Sequence, residues 1–130
     1  MRLLLDTHVF LWYISADPAL PVPFWDAIHD SANEVYLSVA SVWEVVVKHA
    51  LGKLALPEAP ASYLPRQRDA HHIATLPIEE GTFVHLASLP PLHRDPFDRI
   101  MIAQALQHRL TLVTVDDAVR AYSVPVLPMK

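Results

Sequence analysis

Cysteine is absent from this 130-residue chain, and glycine occurs only twice, at Gly52 and Gly81. Without cysteine there is no disulfide framework, thiolate zinc site or cysteine nucleophile, so any metal must be held by oxygen or imidazole, a composition at home in a reducing compartment. With so little glycine, neither a phosphate-cradling P-loop nor a dinucleotide fingerprint is available, and no serine stands in a nucleophile elbow. A positive excess is lacking too. The formal charge is −4, whereas domains that grip nucleic acid by bulk electrostatics are basic, so RNA or DNA binding would need a local patch. Nor does any stretch reach the roughly eighteen uninterrupted apolar residues of a membrane span, because Glu44 and Lys48 break the best candidate. The opening "MRLLLDTHVFLWYI" has the basic residue and apolar run of a secretion signal, but Asp6 and His8 interrupt it and no clear small-residue cleavage site follows. A cytoplasmic protein without membrane association is expected.

What is present is hydrophobic: 52% of the residues, with positive mean hydropathy. The length suits one domain over residues 1–130 with one core and no linker, and the apolar surplus suggests surface that meets a partner. "RLLL" at 2–5, "VYLS" at 35–38, "HIATLPI" at 72–78, "TLVTV" at 111–115 and "VPVL" at 124–127 read as strands. Helices are predicted over "THVFLWYI", over "PVPFWDAIHDSAN", from about Ser41 to Gly52, around 66–70 after a proline-rich loop, over "EEGTFVHLASL" and over "DPFDRIMIAQALQHRL". The last has Asp95 as N-cap and Pro96 at the first helical position. In the Ser41 helix, Trp43, Val46, Val47 and Ala50 are expected to face the core. Strands alternating with helices imply right-handed crossovers and a mainly parallel sheet covered on both faces, with sites beyond the carboxyl ends of the strands.

Four acids have places near that edge. Asp6 ends the first strand, Asp116 ends "TLVTVD", and Glu44 and Asp98 lie inside apolar helical stretches. Each has an ordinary reading: Asp6 as a helix cap assisted by Thr7, Glu44 as the i,i+4 partner of Lys48, Asp98 as a third-position acid favoured by the helix dipole, Asp116 and Asp117 as turn or cap residues. Independent caps need not converge, however. Two unit charges about 5 Å apart repel by roughly 3 kcal/mol at an effective dielectric near 20, so a carboxylate cluster needs a cation. Magnesium or manganese with a phosphate substrate fits that requirement.

The segments "LLLDTHVFLW", "SVASVWEVVVKHALGKLAL", "LHRDPFDRIMIAQA" and "LVTVDDAVRAYSVPVL" resemble, in that order, the blocks of PIN-domain ribonucleases of the VapC toxin type, over nearly the whole chain. The resemblance implies a PIN-like three-layer α/β/α sandwich and an acidic metal site of Asp6, Glu44, Asp98 and Asp116. It also implies hydrolysis of an RNA phosphodiester to a 5′-phosphate and a 3′-hydroxyl with one or two Mg²⁺ or Mn²⁺ ions, a cognate VapB-type antitoxin and a homodimer. Asp6 and Asp98 would be the principal ligands, Glu44 a ligand or water-orienting base, and Asp116 a supporting acid. Val119 departs mildly, standing where relatives often have an aromatic residue.

Around these acids, Thr7, Ser38, Ser41 and Thr114 carry hydroxyls able to orient carboxylates or waters, or simply to cap helices. Arg99 and Arg94 could approach phosphate or form structural ion pairs, and Lys48, Lys53, Arg66 and Arg68 are weaker candidates for an RNA patch. The eight histidines show no HExxH or other ligand spacing. His71 and His72 are expected to point opposite ways on a strand, and His8 and His93 stand near motif residues as possible RNA or supporting contacts. Trp12, Tyr13, Phe24, Trp25 and Trp43 read as core or interface residues rather than base-stacking platforms. Two other function classes share some features. A receiver-like phosphoacceptor domain lacks its acidic pair after the first strand here, and a non-catalytic PIN scaffold would not need the complete acidic quartet. An aspartyl phosphatase would want an acid where His8 stands.

Overall fold

All 130 residues are described in the computed structural model of the chain. The opening run forms β1 (Arg2–Leu5), whose three leucines are completely buried. Three consecutive apolar residues, rather than alternating ones, are what a parallel strand covered on both faces requires. Its side chains point alternately to the two faces. Leu3 and Leu5 join Phe10, Phe24, Leu37 and Val113 in one cluster, while Leu4 joins Ile102, Leu110 and Leu112 in another.

The remaining elements are α1 (Thr7–Ile14), α2 (Val22–His29), β2 (Glu34–Ser38), α3 (Val39–Ala50), α4 (Pro60–Ala70), β3 (Ala74–Leu76), α5 (Thr82–Ser88), α6 (Pro96–His108), β4 (Thr111–Val113) and α7 (Asp117–Arg120). The four strands form a wholly parallel sheet in the order β3-β2-β1-β4, with Leu3 opposite Val35 on one side and Thr111 on the other. The apolar residues of α1 to α4 belong to the first cluster and those of α6 and α7 to the second. The result is the expected α/β/α sandwich. The chain leaves β1 toward β2 on one side and reaches β4 on the other, so the carboxyl ends of β1 and β4 flank a topological switch point, where open α/β sheets place their sites.

Several expectations need correction. "VPVL" forms no full strand: Val126 makes a single parallel bridge to Leu112, because Pro125 and Pro128 have no N–H to extend a ladder. Helix α4 starts at Pro60, using proline at its first turn, rather than near Arg66. Asp116 caps a short helix α7 that propensity did not suggest. In α3 the inward face is Ala40, Ser41, Glu44 and Val45, leaving Trp43 59% exposed, Val46 41% exposed and Ala50 outside. With valines almost all round the helix, apolar periodicity could not choose the face.

His71 and His72 lie not on a strand but at the end of α4. His72 adopts φ 57° while the backbone N–H of Ile73 bonds to the carbonyl of Arg68 and that of His72 to Asp69. This is the Schellman arrangement that usually places glycine in the left-handed position. Helix α3 ends that way at Gly52 (φ 71°), but α1 uses Ala16 (φ 51°) and α6 uses Arg109 (φ 56°). Scarce glycine therefore leaves three left-handed positions filled by residues with a Cβ. Ala16→Gly is expected to stabilise the fold by about 1 kcal/mol, read as a higher denaturant midpoint with an unchanged slope; an unchanged or lower midpoint would refute the strain.

Candidate metal centre

Backbone needs position two of the four acids directly and a third, Asp98, through the neighbouring cap Asp95. Asp6 follows β1, donates its N–H to the Val113 carbonyl at 3.0 Å, and caps α1 by accepting from the His8 N–H at 3.4 Å. Asp116 follows β4 and caps α7 through the Ala118 N–H at 2.9 Å. Asp98 is the third residue of α6, whose N-terminus is fixed by Asp95 accepting from the N–H groups of Phe97 and Asp98 at 2.9 and 3.1 Å. Glu44 differs. It sits in the second turn of α3 and is 3% exposed, a position open to a carboxylate only if partners offset the lost hydration.

Those partners are present. The Thr7 hydroxyl donates to Glu44 Oε1 at 2.7 Å, and the Lys48 ammonium pairs with Oε2. The Thr114 hydroxyl donates to Asp6 Oδ2 at 2.6 Å and accepts from the Asp116 N–H at 3.1 Å, tying the two strand-end acids together. His93 Nε2 lies 2.8 Å from Asp98 Oδ2. The expected i,i+4 ion pair of Glu44 thus exists, but buried rather than on a solvated face.

Electrostatics report the convergence. Burial first, then the charges of Asp6, Asp95 and Glu44, push the Asp98 carboxyl up from 3.8 to about 7, against the lowering effect of the His93 hydrogen bond. Burial also raises Asp6, opposed by the Thr114 hydrogen bond and the nearby His8, with Glu44 adding a further upward push. Lys48 is raised mainly by its bond to Glu44, with Asp95 and Asp98 contributing. Asp6, Glu44 and Asp98 therefore share one field. Asp116 joins at the other side, where one carboxylate oxygen each from Asp98 and Asp116 and a ring nitrogen of His93 all lie within 4.8 Å of one another.

Of the hydroxyls singled out from the sequence, Thr7 and Thr114 hold carboxylates. Ser38 instead caps α3 and donates to Gln104 at 2.5 Å, while Ser41 is buried without a bond to any of the four acids. Arg99 is turned away: its Nη1 donates to the Pro90 carbonyl and the Tyr122 hydroxyl, each at 3.0 Å. Arg66 pairs with Glu58 and Arg68 with Asp69, leaving Lys53 and Arg94 as exposed cations without a carboxylate partner. Asp95 was read only as a cap, yet it also adds negative charge to Asp98 and Lys48. Its three-residue spacing from Asp98 at a helix start was the available clue.

The sequence and the fold have known counterparts. The chain is 29% identical over 123 residues to ribonuclease VapC22 of Mycobacterium tuberculosis, covering 94% of this chain and 92% of that protein. Its fold resembles a chain in the structure of VapBC2 from Rickettsia felis bound to a DNA fragment from their promoter, with a TM-score of 0.73 at 16% identity and 98% of each chain covered. It also resembles a chain of FitAcB from Neisseria gonorrhoeae, with a TM-score of 0.63 at 23% identity, covering 98% of this chain and 97% of that one. A family model for the PIN domain matches residues 3–125, nearly the full length, and the chain belongs to that family.

Proposed function

We propose that this chain, acting as a single domain, is a divalent-metal-dependent endoribonuclease toxin restrained by a cognate VapB-type antitoxin. The observation that carries the reading is the gathering of Asp6, Glu44, Asp98 and Asp116 at the carboxyl edge of the sheet, with burial and mutual repulsion already raising two of them. The name of the VapC22 relative and the toxin–antitoxin neighbours support the activity and the partner.

The residues fit Mg²⁺ or Mn²⁺. The donors are predominantly carboxylate oxygens, the groups hard dications prefer, and a dication would offset the lost hydration and the repulsion that together raise Asp98. When bound, such an ion lowers the pKa of a water and neutralises charge on a scissile phosphate. The chain's own residues prepare that chemistry. Thr114 fixes Asp6, while Thr7 and Lys48 fix the two oxygens of Glu44, whose remaining lone pairs can orient a water for in-line attack. Lys48 places a cation within reach of a phosphate held over the acids. Hydrolysis would leave a 5′-phosphate and a 3′-hydroxyl. A homodimer in the cytoplasm is part of the same reading; no helix of the structure is long and apolar enough to cross a membrane.

Purified, antitoxin-free protein should cleave total RNA in the presence of Mg²⁺ or Mn²⁺. EDTA should stop cleavage, and Asp98→Asn or Asp6→Asn should each slow it by about a hundredfold or more with unchanged circular dichroism. Cleavage indifferent to EDTA or to both substitutions would refute the proposal.

Stability should depend on pH in the sense set by Asp98. Because its folded pKa of about 7 lies above the ordinary 3.8, its contribution is full below the unfolded value and is lost progressively until the pH has risen through the folded value. In EDTA, the melting temperature should therefore fall between about pH 4 and pH 7, and millimolar Mn²⁺ should remove most of the fall. A metal-free curve that rises over that interval, or does not respond to Mn²⁺, would count against a strained carboxylate cluster.

A further inference from the structure

His93 is not needed by the four-carboxylate reading, and no ligand spacing in the sequence marks it. The fold nevertheless brings it to the acids. Its Nε2 lies 2.8 Å from Asp98 Oδ2, and the set it forms with Asp98 and Asp116 spans no more than 4.8 Å. Two ligand atoms at adjacent positions around one dication, each about 2.1 Å from it, lie about 3 Å apart. The His93–Asp98 separation is thus a ligand-to-ligand distance, and the wider span of up to 4.8 Å is to be set against roughly 4.2 Å between opposite ligands of one ion, so the set must draw in by about 0.6 Å at most to hold it that way.

The loop presenting the ring is anchored. The His93 backbone N–H donates to the Tyr122 hydroxyl at 3.0 Å, and Arg99 bridges that same hydroxyl to the Pro90 carbonyl. Tyr122 is itself buried in the second core cluster. A loop carrying Pro90 and Pro91 is thereby fastened to α6 and to the residues after α7, which holds the imidazole over the acids without help from a helix or strand. The two other charged neighbours on this side, Asp95 and Arg94, cap the helix and face solvent respectively.

We propose that His93 supplies an imidazole ligand beside Asp98 and Asp116, so that the site selects Mn²⁺ and related first-row dications over Mg²⁺. Mg²⁺ takes oxygen ligands and holds its waters, whereas imidazole nitrogen suits first-row ions such as Fe²⁺, Ni²⁺ and Zn²⁺, with Mn²⁺ the weakest of that series and still readier than Mg²⁺ to exchange a water for nitrogen. The hydrogen bond between His93 and Asp98 gives way to two bonds to the ion, and the proton it held leaves to solvent. This inference rests on the divalent-metal reading above and adds the identity of the ion.

Pulsed electron paramagnetic resonance of Mn²⁺-loaded protein, prepared with ¹⁵N-labelled histidine, tests it without reference to activity. The wild type should show coupling from one imidazole nitrogen. His93→Gln should abolish that coupling, while His8→Gln should retain it, His8 being the exposed histidine whose charge reaches Asp6. Titration should show the Mn²⁺-over-Mg²⁺ preference of the wild type shrinking by about tenfold or more in His93→Gln. Mn²⁺ bound by the wild type with no nitrogen coupling would overturn the assignment of His93 while leaving the carboxylate site standing. That spectrum decides the matter even if the variant does not fold. Failure of the wild type to bind either ion would remove both proposals together.

Discussion

Loss of hydration at gathered carboxylates, with their mutual repulsion added to it, is the constraint around which this edge of the molecule is organised. Parallel strands covered on both faces must be apolar along their length, and whatever follows them emerges at a common edge where helices begin. The backbone N–H groups of those helix starts need acceptors, and aspartate is a good one. Asp6, Asp95 and Asp116 each satisfy such a need. Convergence of caps on one edge then concentrates negative charge, to which α3 adds Glu44 and α6 adds Asp98. The ordinary readings of these residues and the functional one are not rivals. Capping fixes where a carboxylate sits, and its remaining oxygen atoms are free for other work.

The surroundings offset part of the strain and leave the rest. Thr7, Thr114, Lys48 and His93 each donate or lend charge to one of the acids, yet Asp98 still holds its proton up to about pH 7. A site with every carboxylate fully compensated by its own protein would have nothing to gain from a cation. Here the compensation is incomplete at Asp98, which faces the loop that carries His93.

Much of this was legible in the sequence, for reasons that can be named. Unbroken apolar runs ending in aspartate identified β1 and β4, and Asp95-Pro96 marked the start of α6 because cap and proline preferences are local. What could not be read locally was which way α3 faces. Its valines surround the helix, and an acid among them would ordinarily be turned outward; Glu44 is turned inward because Thr7, thirty-seven residues earlier, meets it there. The same limit left His93 as no more than a supporting contact near the motif, because its position depends on a hydroxyl from Tyr122. His71 and His72 were misread because a helix ending without glycine gives no composition cue, and "VPVL" because its prolines outweigh its valines.

The bond from Thr114 to Asp6 spans 108 residues. During synthesis Asp6 is made long before Thr114, which orients it, and before strand β4 and Asp116, which complete the edge. The acidic edge therefore cannot be completed co-translationally from the front. Asp6 takes its bonded orientation only once β4 has paired with β1.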